Sequence, residues 1–269
     1  LSQSPQELLK SGDLAGALGA LQAQVRADAS DPKLRIFLFQ LLCVLGDWNR
    51  AITQLKLSAE LEPLAIPMAQ TYREAIICEV YRGKVFAGEK DPLIFGEPLE
   101  WVALMIEANR ALAQGNAAHA ADLRARAFDQ VPDQGGAING DRFDWIADAD
   151  MRLGPLLEII VNGRYFWMPF SAIDTLTADP PEDLRDAVWT AANLKLRNGG
   201  ECVALIPTRY VGTDTSLDHA AMLSRTTTWA DAGADTHVGT GQRLLTTGDA
   251  DVAIMDLRSL QMDPVAADG

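Results

Sequence analysis

The stretches LLKSGDLAGALGALQAQV (8–25) and QLLCVLGDWNRAITQLKLS (40–58) superimpose at a fixed offset: Gly12 and Gly46, Asp13 and Asp47, and Ala17 and Ala51 are each 34 residues apart. A third copy, ALAQGNAAHAADLRARAFDQVP (111–132), repeats from Gly115 to Ala120 the five-residue step that separates Gly46 from Ala51. Pro63 and Pro132 both fall 17 residues after their glycine, and the small residues Ser58 and Ala127 fall 12 after it. These residue types describe a helix–turn–helix unit. Glycine ends the first helix because it adopts a positive φ at little steric cost. The small residue five positions on lets the second helix lie close to the first, and the proline closes that helix by removing a backbone donor.

A 34-residue period resembles the tetratricopeptide repeat. The likeness covers residues 4–63 and 99–132 as degenerate copies, without the leading Trp and Tyr landmarks. Capping residues fit it: Ser4-Pro5-Gln6-Glu7 forms a capping box with proline at the first helical position, and Asp31-Pro32 starts a second pair. Between copies, residues 68–86 place Tyr72, Ile76 and Val80 at helical spacing. GEKDPLIFGEP (88–98) then breaks the helix and leaves Leu93, Ile94 and Phe95 on a loop tip, either docked onto the second domain, the favoured reading, or touching a partner. A stack of such repeats either offers a groove to a peptide or helix of another protein, or scaffolds the second domain.

From residue 141 the texture changes. LLEIIV-NG-RYFWMPF reads as two strands joined at Asn162-Gly163, and residues 187–210 read as a second pair turning at Asn198-Gly199-Gly200. Residues 222–230, 240–247 and 251–258 give further short strands, and Pro180-Pro181 opens a short helix. The expected fold class is α+β: TPR-like helical repeats over 1–140, then a β-rich domain over 141–269 built as a small antiparallel sheet or partly open barrel.

Charge narrows the function classes. The net charge is −14; residues 1–140 carry 13 Lys+Arg against 17 Asp+Glu, and residues 141–269 carry 10 against 20. An acidic surface repels phosphate backbones, so a nucleic-acid partner is not expected, whereas a basic protein face is accommodated. The N-terminus lacks the order of a secretion leader, and no apolar run reaches a membrane span. Cys43, Cys78 and Cys202 lie apart in apolar stretches and read as buried thiols of a reducing compartment.

Catalytic motifs are missing. His119, His219 and His237 form no metal-binding spacing, the serines lack a nucleophile elbow, and Gly239-Thr240-Gly241 reads as a strand-entry turn rather than a phosphate loop. Asp141, Asp144, Asp148 and Asp150 form an acidic cluster followed by Arg152 and Glu158. On an extended segment Asp148 and Asp150 point the same way, toward either a metal-assisted hydrolase site or a carboxylate–guanidinium network that fixes a loop. The network is favoured, and no metal or cofactor is expected.

The string WIADADMRLGPLLE (145–158), with NGRYFWMPF (162–170), LRDAVW (184–189), IPTRY (206–210), LSRTTTW (223–229) and GTGQRLL (239–245), resembles the ImpE/TagJ family of type VI secretion accessory proteins. The resemblance implies a cytoplasmic, non-enzymatic adaptor. It implies a partner as well, the N-terminal helix of the small contractile-sheath subunit, and through it a link to sheath recycling by a ClpV-type ATPase. No catalytic residues carry over. The matching strings single out Trp145, Asp148, Asp150, Arg152, Tyr165, Trp167, Arg209, Tyr210, Trp229, Gln242 and Arg243 as partner-binding or structural positions. Their aromatic and arginine character suits an interface or a packed polar network, with the tryptophans expected in the core. A metal-assisted hydrolase and a dimerising scaffold are the alternatives.

Overall fold

The computed structural model describes residues 3–264. The repeats fold as helical pairs. Helices α1 (Pro5–Ser11) and α2 (Leu14–Ala27) form the first, α3 (Pro32–Val44) and α4 (Trp48–Leu61) the second. The lone α5 (Ile66–Phe86) follows, then β1 (Leu93–Ile94) and the third pair, α6 (Glu100–Ala113) and α7 (Ala117–Phe128). Each repeat glycine has the expected left-handed backbone, with φ of 84° at Gly12, 70° at Gly46 and 80° at Gly115. The residue after each glycine caps the next helix: Asp13, Asp47 and Asn116 accept hydrogen bonds from the amides of Gly16, Arg50 and His119. Ala17, Ala51 and Ala120 are fully buried where the paired helices meet. In α5 the buried stripe includes Tyr72 and Ile76, but Val80 is exposed, and the stripe continues through Glu79 and Arg82.

The second part contains β2 (Gly136–Ile138), β3 (Asp141–Phe143), β4 (Ile146–Asp148), β5 (Leu156–Val161), β6 (Arg164–Pro169), β7 (Ile173–Ala178), β8 (Trp189–Leu196) and β9 (Glu201–Pro207). A short helix α8 (His219–Met222) precedes β10 (Thr227–Asp231), β11 (His237–Gly241), β12 (Leu244–Thr247), β13 (Asp251–Ala253) and β14 (Ser259–Met262). Nine strands make one sheet in the order β1-β6-β5-β9-β8-β7-β14-β2-β3; β10-β11 and β13-β12-β4 form two smaller ones. Both expected hairpins are present, β5–β6 and β8–β9. The stretch 222–230 differs from the expected strand: it is the end of α8, a turn and then β10, because Asp218 caps a helical turn there.

Two details cut across the expected boundary at 140/141. Strand β2 starts at Gly136, and β1, inside the helical part, pairs in parallel with β6 at Leu93↔Phe166 and Ile94↔Trp167. The loop tip is therefore docked: Phe95 donates its N–H to the Trp167 carbonyl and meets Phe166 edge-on at 5.1 Å. One hydrophobic cluster runs from Leu14 and Phe39 through Ile76 to Leu156, Trp167 and Trp189, so the core is shared by both parts, while the other face of the sheet has its own cluster around Ile159, Met168 and Leu245.

This packing covers α3, the first helix of the second pair. Every residue of α3 from Leu38 to Val44 is buried. A helix buried all round has neighbours on all sides, and here the turn Leu184–Ala187 supplies the outer one. Trp189 stacks obliquely on both Trp48 and Tyr72. Among the described residues no helix is long and apolar enough to cross a membrane.

Candidate functional site

Where α5 meets the sheet, charge is buried on both sides of the seam. Arg82 of α5 grips Glu158 of β5 with two bonds, Nε to Oε1 at 2.6 Å and Nη2 to Oε2 at 2.8 Å. It also donates to the Arg209 carbonyl and reaches Glu79 at 3.3 Å. Glu158 is shared with Arg243 at 3.2 Å and accepts from the Tyr165 hydroxyl, which in turn accepts from Trp167 Nε1. Arg243 holds Asp148 Oδ2 through Nε and Nη2 at 2.9 and 2.6 Å, and Trp189 Nε1 donates to Glu79.

A second ion pair adjoins this one. Asp150 accepts from the Arg152 backbone and guanidinium and from the Gly239 N–H, and its own N–H donates to Asp148 Oδ1. The extended segment on which both carboxylates would point the same way does not reach Asp150. Strand β4 ends at Asp148, the chain turns, and each carboxylate finds its own arginine. Asp141 and Asp144 lie outside on exposed backbone. The carboxylate–guanidinium network is the arrangement present, and among the described residues no group of three or more His, Cys, Asp or Glu is placed to hold a metal ion.

Burial and pairing set the carboxylate affinities. Burial alone would raise the Glu158 carboxyl, but Arg82 and Arg243, with hydrogen bonds from Arg82 and Tyr165, bring it down from 4.5 to about 2. Asp148 goes the other way. Burial lifts it from 3.8 to about 6 against the pull of Arg243, and the Asp150 charge adds to the rise.

Arginine also ties the parts together through helix ends. Arg209, fully buried, donates to the carbonyls of Cys43 and Val44 at the end of α3 and to that of Met222. The last carbonyls of a helix have no partners within it, and a cation there also meets the negative end of the dipole. Arg225 does the same for Leu9 and Lys10 at the end of α1, and His219 Nδ1 lies 2.9 Å from the Gly12 carbonyl.

Seven of the singled-out residues therefore meet in this seam: Asp148, Asp150, Arg152, Tyr165, Trp167, Arg209 and Arg243. Tyr210 and Gln242 flank it. Gln242 bridges the Ser224 carbonyl and the Met255 N–H, and the Tyr210 ring packs on Gly239, where a Cβ would lie 2.3 Å from ring carbons. The two remaining tryptophans correct the expectation of burial, for Trp145 is 47% exposed and Trp229 41%.

Trp145 lines a groove of about 400 Å³ at the far end of the seam. Trp101, Phe128 and Val131 come from the helical side, Phe170 and Met262 from the sheet. Phe128, at the end of α7, is itself 42% exposed. Sequence reasoning passed over Phe128, Glu79 and Arg82. Opposite charges three apart on the same stripe as Tyr72 and Ile76 were the available signal for Glu79 and Arg82.

The model of the ImpE protein family matches residues 140–261. The type VI secretion system accessory component TagJ of Pseudomonas aeruginosa is 50% identical over 262 residues, which cover 97% of this chain and 92% of that protein. The crystal structure of protein VPA1032 from Vibrio parahaemolyticus superimposes with a TM-score of 0.88 at 27% identity, covering 97% of this chain and 98% of that one. With half its residues identical to TagJ over nearly the whole length, the chain belongs to the ImpE/TagJ family.

Proposed function

We propose that this protein is a non-catalytic, cytoplasmic adaptor of type VI secretion. In this reading it holds the N-terminal helix of the small contractile-sheath subunit and links it to sheath recycling by a ClpV-type ATPase. The observation that carries the reading is the apolar groove between Phe128 and Trp145, two half-exposed aromatic side chains from opposite sides of the seam. Large aromatics beside a concave apolar surface are the residues that dominate protein interfaces. The name of the TagJ relative supports the secretion system as the setting. The Leu38–Val44 stretch of α3 is buried with the turn Leu184–Ala187 packed against it, which favours the seam groove over the face of that repeat for a partner helix. An amphipathic helix would enter it with anchors at i, i+3 or i+4 and i+7, and the acidic second part favours basic residues on its polar face.

The test is a fluorescence-anisotropy titration of the full chain against a labelled peptide of that sheath helix. Saturable binding is expected, and Trp145→Ala or Phe128→Ala should each weaken it by roughly 30-fold, as for an interface anchor. No saturable binding would sink the adaptor reading. Binding that both substitutions leave intact would remove the groove from it.

A further inference from the structure

The hairpin of β10 and β11 has one closed edge and one open edge. Along the outer side of β11, the His237 carbonyl accepts from the Met151 N–H at 3.2 Å and the Gly239 N–H donates to Asp150 Oδ2 at 2.8 Å. The Gly241 N–H donates to Thr213 Oγ1 at 2.9 Å, and its carbonyl accepts from the Tyr210 N–H at 2.8 Å. The outer side of β10 is different. At the two ends of the hairpin ladder, the Gln242 N–H donates to the Thr226 carbonyl and the Ala232 N–H to the Thr236 carbonyl. Alternation along an antiparallel pair then turns the backbone of Thr228 and Ala230 toward β11, and that of Thr227, Trp229 and Asp231 away from it. No strand lies beside those three residues among the described ones.

This edge also lacks the usual protection. Sheet edges are commonly blunted by shortness, charge, proline or bulges. Strands β1, β3 and β13 are two or three residues long, and β3 begins Asp141-Arg142. Strand β10 is five residues, TTWAD, with three strand-favouring residues in succession and four of its five positions exposed. Trp229 leans on the Tyr210 ring at 5.6 Å and leaves part of its indole beside the open backbone.

We propose that β10 is a docking edge for an extended segment of another protein, which adds to it as a third strand and carries basic residues at the end lying beside Asp231 and Asp235. Backbone pairing with Thr227, Trp229 and Asp231 gives the affinity, and the exposed indole covers the incoming strand. Charge selects the occupant. Asp231 and Asp235 are exposed at the hairpin tip, and neither β10 nor β11 contains a lysine or arginine. A second copy of this chain is disfavoured by its own net charge of −14. This edge is separate from the Trp145 groove and takes an extended chain rather than a helix.

The test uses the isotopically labelled full chain and the peptide acetyl-Lys-Thr-Val-Thr-Val-Thr-Lys-amide, read by amide hydrogen exchange and Trp229 fluorescence. Saturable binding is expected, with exchange at Thr227, Trp229 and Asp231 slowed at least about tenfold and Thr228 and Ala230 little changed. Peptides N-methylated at alternate residues, in the phase that faces β10, should lose binding. Asp231→Lys should weaken it by roughly tenfold. The proposal is overturned by no saturable binding, by binding that N-methylation leaves intact, or by protection of the same amides with rising protein concentration and no peptide, which would make the occupant a second copy.

Discussion

The helical part and the sheet part use their charged residues in opposite ways. In the repeats, Asp13 and Asp47 act three residues away, each capping the helix it precedes, at the surface. In the sheet, Asp148 reaches Arg243 across 95 residues, and Glu158 reaches Arg82 across 76, with no solvent exposure at either carboxylate. Local charge specifies where a helix starts. Buried charge specifies how two parts of the chain sit together, since each ion is satisfied in one arrangement only.

The comparison breaks most visibly at Arg243. Arg243→Met keeps much of the side-chain volume but leaves Asp148 buried without its cation and removes one of the two that serve Glu158. Removing one partner of a buried ion pair costs about 3–5 kcal/mol. Urea unfolding should show that loss. A cost below about 1 kcal/mol, the scale of an exposed pair, would mean the network is wetter than its geometry indicates.

Titration separates the two carboxylates of the network. The carboxyl of Glu158 is lower in the folded state than unfolded, about 2 against 4.5. Its contribution is therefore complete above pH 4.5 and is lost as pH falls toward 2, about 3 kcal/mol in all. Asp148 is higher in the folded state, about 6 against 3.8, so its contribution is greatest below 3.8 and is lost as pH rises through 6. Thermal melts should show the deficit of Glu158→Gln shrinking on going from pH 7 to pH 3, and that of Asp148→Asn growing. Parallel curves for the two variants would show that these groups do not differ in the folded protein as their surroundings require.

The same contrast explains what was legible in the sequence. Gly12, Gly46 and Gly115, with the capping residue after each, encode their structure within a few residues, and spacing alone revealed them. The Asn162-Gly163 hairpin was equally local. The seam was not, because the partners of Asp148 and Glu158 lie in other elements and no spacing rule connects them. Their residue types suggested a network, and the family strings singled out most members on the sheet side, but Arg82 and Glu79 lay in a helix of which only the spacing of Tyr72, Ile76 and Val80 was read. Trp145 and Trp229 show the reverse case. Tryptophan composition favours burial, and only the packed chain reveals that these two stand half outside.

The smallest effect belongs to the local class. Asp13→Ala removes the carboxylate that accepts the Gly16 N–H at 2.8 Å and leaves that donor to water, at a cost of about 1 kcal/mol. The adjacent Gly12 keeps its left-handed turn, and its carbonyl keeps His219, so the repeat still reverses direction. The loss should appear as a small fall in urea midpoint, with hydrogen exchange accelerated only in the first turn of α2. If exchange rises instead across α3 and the sheet, the caps and the seam are coupled, and the division between local and long-range charge does not hold.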